Sequence, residues 1–218
     1  MKSKTLSFEA DYNSLVDWSI EAIISKNEGL EPLKRDKALY DCLLKGDLRQ
    51  YYRNREADIQ ETINEYVRIW NDIESIFRAT IEDLFGFDIK KDIKAFITFL
   101  PIFPRDLENR HFLVPFDGSE SYRISIVLHE YLHFVFFDKL NNYSPSKVQW
   151  LVSELMIPLC FDYFSSKQLF DNLICSNYCL NKNSIFKGKG FFEEYKLHKI
   201  SYETLVKKLE LIVIEELL

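Results

Sequence analysis

Histidine is scarce in this chain, and so are the residues that interrupt a backbone. Among 218 residues there are four His, six Gly and six Pro. So few breakers exclude a loop-rich or low-complexity chain and leave long continuous elements. An excess of positive charge is also missing. The chain has 28 Lys and Arg against 34 Asp and Glu, a formal net charge of −6, which argues against nucleic acid as the main partner. No run of eighteen apolar residues occurs, so no membrane span is expected. Met1-Lys2-Ser3-Lys4-Thr5 leads to Glu9 and Asp11 without the apolar stretch of a signal peptide. The expectation is a soluble, cytoplasmic protein whose oligomeric state the sequence leaves open. Cysteine is sparse too: Cys42, Cys160, Cys175 and Cys179. The last two share helical i, i+4 spacing, which could begin a metal site. No Cys or His nearby in sequence completes it, so reduced thiols are the preferred reading.

Aromatic side chains are abundant instead, with 18 Phe and 12 Tyr. A chain of this length buries roughly 70% of its unfolded surface and needs no staples. The apolar spacing reads as mostly helical, α+β in class. Residues 8–27 read as an amphipathic helix through Phe8, Tyr12, Leu15, Trp18 and Ala22, and 33–45 as a second helix ending near Gly46. The longest periodic stretch is 57–84, stopped by Gly86. Strands are expected at Ala95–Leu100 and at Arg110–Phe116, the latter an edge strand because Pro115 gives up a ladder donor. Asp117-Gly118 turns the chain, and Ser119 or Ser121 can cap a helix running to about Leu140. Ser144 then reads as an N-cap, Pro145 as the first helical position, and Pro158 as a kink or break. Two or three helices fill 165–218.

Two of the four histidines stand in the run His129-Glu130-Tyr131-Leu132-His133. Spaced by four, they lie one turn apart on one helical face, and both rings can reach one ion. From Ser125 to Phe136 there is no Pro or Gly, and Glu130 is the sole charged residue apart from the histidines. An ionisable trio in an apolar helix is costly unless compensated, which a metal ion does. The competing reading is a core helix whose histidines are merely hydrogen-bonded. Further on, Val148, Leu151, Val152, Leu155, Met156 and Leu159 line one apolar face, and Trp150, Ile157 and Phe161 line a neighbouring one with Glu154 in its middle, where a carboxylate also needs a partner.

H-E-x-x-H followed by a glutamate on the next helix resembles the gluzincin group of zinc metallopeptidases, over about residues 57–165. The metzincin extension is absent, since Phe136 and Lys139 occupy its positions. The resemblance implies a zincin-like catalytic core of long backing helix, small sheet, motif helix and Glu-bearing helix. It implies zinc held by His129, His133 and Glu154, with Asp138 and Asp162 as rival third ligands. Glu130 would be the general base toward a water on zinc, the reaction peptide-bond hydrolysis, and the partner a peptide or protein. An extended substrate would pair with Phe112, Leu113 and Val114. His198, Tyr195 and Tyr163 are candidates to stabilise the oxyanion, and His111 is read as structural. The segments are then a helical extension, 1–56, the core, 57–165, and a C-terminal helical part, 166–218. The alternative is a zincin-fold binding or regulatory module with little turnover.

Overall fold

A computed structural model describes residues 6–10, 37–87, 89, 91–100, 103–170, 173–174 and 181–217. The protein is mostly helical, with a small mixed sheet. In chain order the elements are β1 (Leu6–Glu9), α1 (Lys37–Lys45), α2 (Leu48–Arg53), α3 (Glu56–Phe85), β2 (Ile93–Thr98), β3 (Arg105–Asp106), β4 (His111–Pro115), α4 (Glu120–Leu140), α5 (Lys147–Ser166), α6 (Lys182–Lys196) and α7 (Tyr202–Leu217). They fall into two compact units. The first takes Met1–Ile73 and Lys90–Val127, the second Glu74–Ile89 and Leu128–Leu218. Helices α3 and α4 each contribute residues to both units.

The first unit holds the sheet, in the order β1-β2-β4-β3, with β1 and β4 parallel to β2 and β3 antiparallel to β4. Phe8, expected at the start of a helix, lies in β1 opposite Ala95. Leu6 and Phe8 are buried while Ser7 and Glu9 are half-exposed, the period of two that a strand requires. The Phe8 ring stacks on Tyr66 at 5.1 Å. The remainder of the expected first helix lies outside the described residues. Helix α3 runs for 30 residues. Gly86 follows it at φ +61° with its N–H on the Glu82 carbonyl, a left-handed terminator for which glycine is suited.

Strand β4 is not at the sheet's edge, contrary to the sequence expectation. The chain between β2 and β4 folds back as β3 and pairs with His111 and Phe112. Leu113 N–H donates to the Pro104 carbonyl at 3.0 Å. Pro115 has no N–H to offer, and its carbonyl accepts the Tyr66 hydroxyl at 2.8 Å. The outer side of β4 is thereby covered, the usual management of an exposed edge. Phe112, Leu113 and Val114 are buried with 0% exposure and belong to the core.

The second unit is helical. Phe77, Tyr131, Phe164 and Phe170 interlock through edge-on ring contacts at 5.2–6.4 Å. Helices α5, α6 and α7 pack on one another. Gly188 of α6 lies where a Cβ would stand 3.4 Å from both Leu159 of α5 and Leu209 of α7. The N-cap of α5 is Ser146, two residues later than expected. Ser146 and Gln149 form a reciprocal capping box, which Ser144 could not make with the residue three beyond it, Lys147. Helix α5 also continues through Pro158. The missing N–H falls at one point, opposite the Glu154 carbonyl, and nine flanking buried residues hold the helix together.

Candidate metal centre

The site is built from two helices whose starts are well specified. Ser119 accepts the Tyr122 N–H at 3.2 Å and opens α4, which then meets no Pro or Gly before Leu140. His129 and His133 therefore fall one turn apart in a regular helix. The α5 capping box fixes the register that places Glu154 toward them.

His129 Nε2 and His133 Nε2 are 3.2 Å apart. Glu154 turns one oxygen to each ring, Oε2 at 3.5 Å from His129 Nε2 and Oε1 at 3.4 Å from His133 Nε2. Among the described residues, these three form the only group of three or more His, Cys, Asp or Glu side chains placed to hold one ion. The distances are informative. A charged imidazolium–carboxylate hydrogen bond is about 2.7–2.9 Å. Two donors on a tetrahedral ion at about 2.0–2.1 Å stand about 3.3–3.4 Å from each other, by the geometry of the tetrahedron. The separation of the two Nε2 atoms is close to that edge, and the contacts to the two Glu154 oxygens are long for ion-paired hydrogen bonds. The residues present fit zinc in donor type as well as in spacing: two imidazole nitrogens and one carboxylate.

Burial sharpens the chemistry. The His133 side chain is 0% exposed, those of His129 and Glu154 14% and 15%. Glu130 is buried on the same turn, its Oε1 3.9 Å from His129 Nε2. It is thus beside the trio without belonging to it.

Two residues that sequence reading left out of the site hold His133. Its Nδ1 lies 2.9 Å from Ser153 Oγ, and the Ser153 hydroxyl donates to the Trp150 carbonyl at 2.7 Å. The Trp150 ring stacks on the imidazole at 5.4 Å between centroids, 6° from parallel. Trp150, Ser153 and Glu154 are i, i+3 and i+4 of one helix and so share a face. A serine flanked by Leu151, Val152, Leu155 and Met156, one position before Glu154, was the available signal. A small polar residue in an apolar stretch warrants a search for its partner.

The other candidates part company with this group. Asp162 is exposed and paired with Lys189 at 2.6 Å, and Asp138 is not in the group either. Tyr163, Tyr195 and His198 do come together, around a different hollow of about 290 Å³ lined also by Asp83, Phe85 and Lys196. Neither histidine of the motif nor Glu154 lines it. The Tyr195 hydroxyl donates to the Leu84 carbonyl at 2.7 Å and that of Tyr163 to Asp83 at 3.1 Å. Burial, then Cys160 and Glu203, push the Tyr195 phenol up to about 12. His111 makes an edge contact with the Phe96 ring, as a structural histidine would. Cys42 and Cys160 are free thiols, while Cys175 and Cys179 lie outside the described residues.

Comparison of the chain with protein families, curated proteins and solved structures gives no match. The functional reading therefore rests on the geometry. Among the described residues, no helix is long and apolar enough to cross a membrane.

Proposed function

We propose that the chain is a zinc-dependent metallopeptidase of gluzincin type, with a zincin-like core. The observation that carries the reading is the convergence of His129, His133 and Glu154, the two Nε2 atoms 3.2 Å apart and one glutamate oxygen toward each ring, with Glu130 beside them. His129, His133 and Glu154 would hold the ion, and three protein ligands leave a tetrahedral ion one open position. Zinc supplies a Lewis acid that polarises a carbonyl and makes water acidic near neutrality. Glu130 is the group placed to accept the proton as water adds to the peptide carbonyl carbon. The same carboxyl then delivers that proton to the amide nitrogen as the C–N bond breaks. A group with no catalytic work would not need a second buried carboxylate beside the ligands. The substrate class is a peptide or protein. The proposed setting is the cytoplasm, supported by the unbridged thiols of Cys42 and Cys160.

The test is metal analysis of the purified protein, followed by mass spectrometry of a peptide library digested by wild type and by Glu130→Gln. The expected result is about one zinc per chain in both proteins, with cleavage by wild type alone. No zinc would leave a hydrogen-bonded His–Glu cluster and overturn the reading. Zinc without cleavage would favour a binding module that keeps the site.

A further inference from the structure

We infer that Ser153 is a positioning residue for the metal centre: it fixes His133 as the tautomer with hydrogen on Nδ1 and so directs the Nε2 lone pair into the group formed with His129 and Glu154. The inference rests on the zinc reading above and adds to it the device that orients one ligand.

A serine hydroxyl has one proton and two lone pairs. In a helix it commonly turns back to a carbonyl three or four residues earlier. Ser153 does this, donating to the Trp150 carbonyl at 2.7 Å. Its proton is then committed, and toward His133 it can act only as an acceptor. The atom it meets at 2.9 Å is Nδ1. That nitrogen must carry the hydrogen, and Nε2 must carry the lone pair. Nε2 is the atom 3.2 Å from His129 and 3.4 Å from Glu154. In water a neutral imidazole favours the opposite arrangement, with its hydrogen on Nε2. Ser153 therefore selects the form that a metal ligand needs against the intrinsic preference.

Nothing can substitute for it easily. His133 is 0% exposed and Ser153 1%, so bulk water does not reach this bond. Reversing the tautomer would set the Nδ1 lone pair against the serine oxygen, or require the hydroxyl to abandon the Trp150 carbonyl. Trp150 contributes differently. Its ring, 6° from parallel to the imidazole, fixes the plane, whereas its carbonyl belongs to the backbone and survives side-chain replacement. One helical face thus provides a metal ligand, the orienting hydroxyl and the stacking ring. Groups that orient a metal-bound histidine typically change affinity by 10–100-fold when removed.

The experiment compares wild type, Ser153→Ala, Ser153→Thr and Trp150→Leu. Long-range ¹H–¹⁵N correlation spectra of metal-free protein report which His133 nitrogen is protonated, and zinc affinity is measured by competition with a chromogenic chelator. In wild type, Nδ1 should be the protonated nitrogen. Ser153→Ala should lose that signature and bind zinc about 10–100-fold more weakly, by the same rule. Ser153→Thr, which keeps the hydroxyl, should restore both. Trp150→Leu should leave the tautomer unchanged. A wild-type His133 protonated on Nε2 overturns the inference, as does a folded Ser153→Ala with wild-type affinity. If Ser153→Ala does not fold, the wild-type spectrum and Ser153→Thr still decide. Wild type that binds no zinc overturns the metal reading itself, an outcome distinct from a wrong tautomer.

Discussion

The helical unit contains two clusters of ionisable side chains, and they differ in how their polar atoms are satisfied. Around the hollow beside Gly86, the Tyr195 phenol donates to a carbonyl at the end of α3 and Tyr163 donates to Asp83. Lys196 pairs with Glu193 at 2.6 Å. In these three contacts donors meet acceptors. In the other cluster, His129 and His133 bring their Nε2 atoms within 3.2 Å of each other and Glu154 turns one oxygen to each ring, a group that could hold a metal ion. Both clusters contain the residue types from which active sites are made, but among the described residues only this one gathers three metal-ligating side chains around one place. Convergence of metal-ligating groups, rather than richness in ionisable residues, marks the functional candidate.

The largest expected effect lies at the metal-ligating group. Glu130→Gln should reduce peptide hydrolysis by more than about a hundredfold, the low end for positioned acid–base groups, because an amide cannot accept the proton. Zinc content should be unchanged, since Glu130 is not among the converging donors. Cleavage at equal rates by both proteins would mean that the measured activity belongs to another site or another protein.

Next in size is the linkage of metal to stability. With free zinc at a thousand times its dissociation constant, a metal that binds only the folded state stabilises it by about 4 kcal/mol. Chelation should therefore lower the melting temperature of wild type and have little effect on Glu154→Ala, which should already have lost the metal. Asp162→Ala and His198→Ala should behave as wild type in this assay. If Asp162→Ala lost the chelator response and Glu154→Ala kept it, the third ligand would have been misassigned.

How far the sequence carried these distinctions depends on the range of the signal. The i, i+4 histidines and Glu130 lie within one helical turn, and a helix without Pro or Gly fixes their geometry. Glu154 was visible as a carboxylate in an apolar stripe, although its partner across helices was not. Ser153 needed the register of α5, which is set by the Ser146–Gln149 capping box rather than by the more familiar Ser144-Pro145 signal. The misplaced sheet edge at β4 came from reading Pro115 as evidence of an edge. A proline removes one donor, but only the fold shows that the neighbouring chain, from Pro104 to Asp106, covers the rest of that side. Phe8 illustrates the opposite failure. Leu6 and Phe8 alternate with Ser7 and Glu9, a strand signal of only four residues that was overridden by longer helical spacing downstream.

The smallest effect tests the cluster beside Gly86. Tyr195→Phe removes the hydrogen bond to the Leu84 carbonyl and should cost about 1 kcal/mol, the usual net value, with zinc content unchanged. Its pH dependence follows from the raised phenol. An unfolded tyrosine titrates near its ordinary value of 10.0, the folded Tyr195 at about 12. Below the first value both states hold the proton, and the stabilisation of the neutral phenol is complete. Between the two values only the folded state holds it, the unfolded state binds fewer protons, and stability falls as pH rises. Above the second value the loss levels off. The difference in unfolding free energy between wild type and Tyr195→Phe should therefore be constant up to about pH 10 and shrink toward about pH 12. Tyr66 and Tyr202 are raised by burial as well, so the absolute alkaline limb belongs to several groups, but the difference between the two proteins isolates Tyr195. A difference that stayed flat through this range would mean that burial does not hold the folded Tyr195 phenol above its ordinary value.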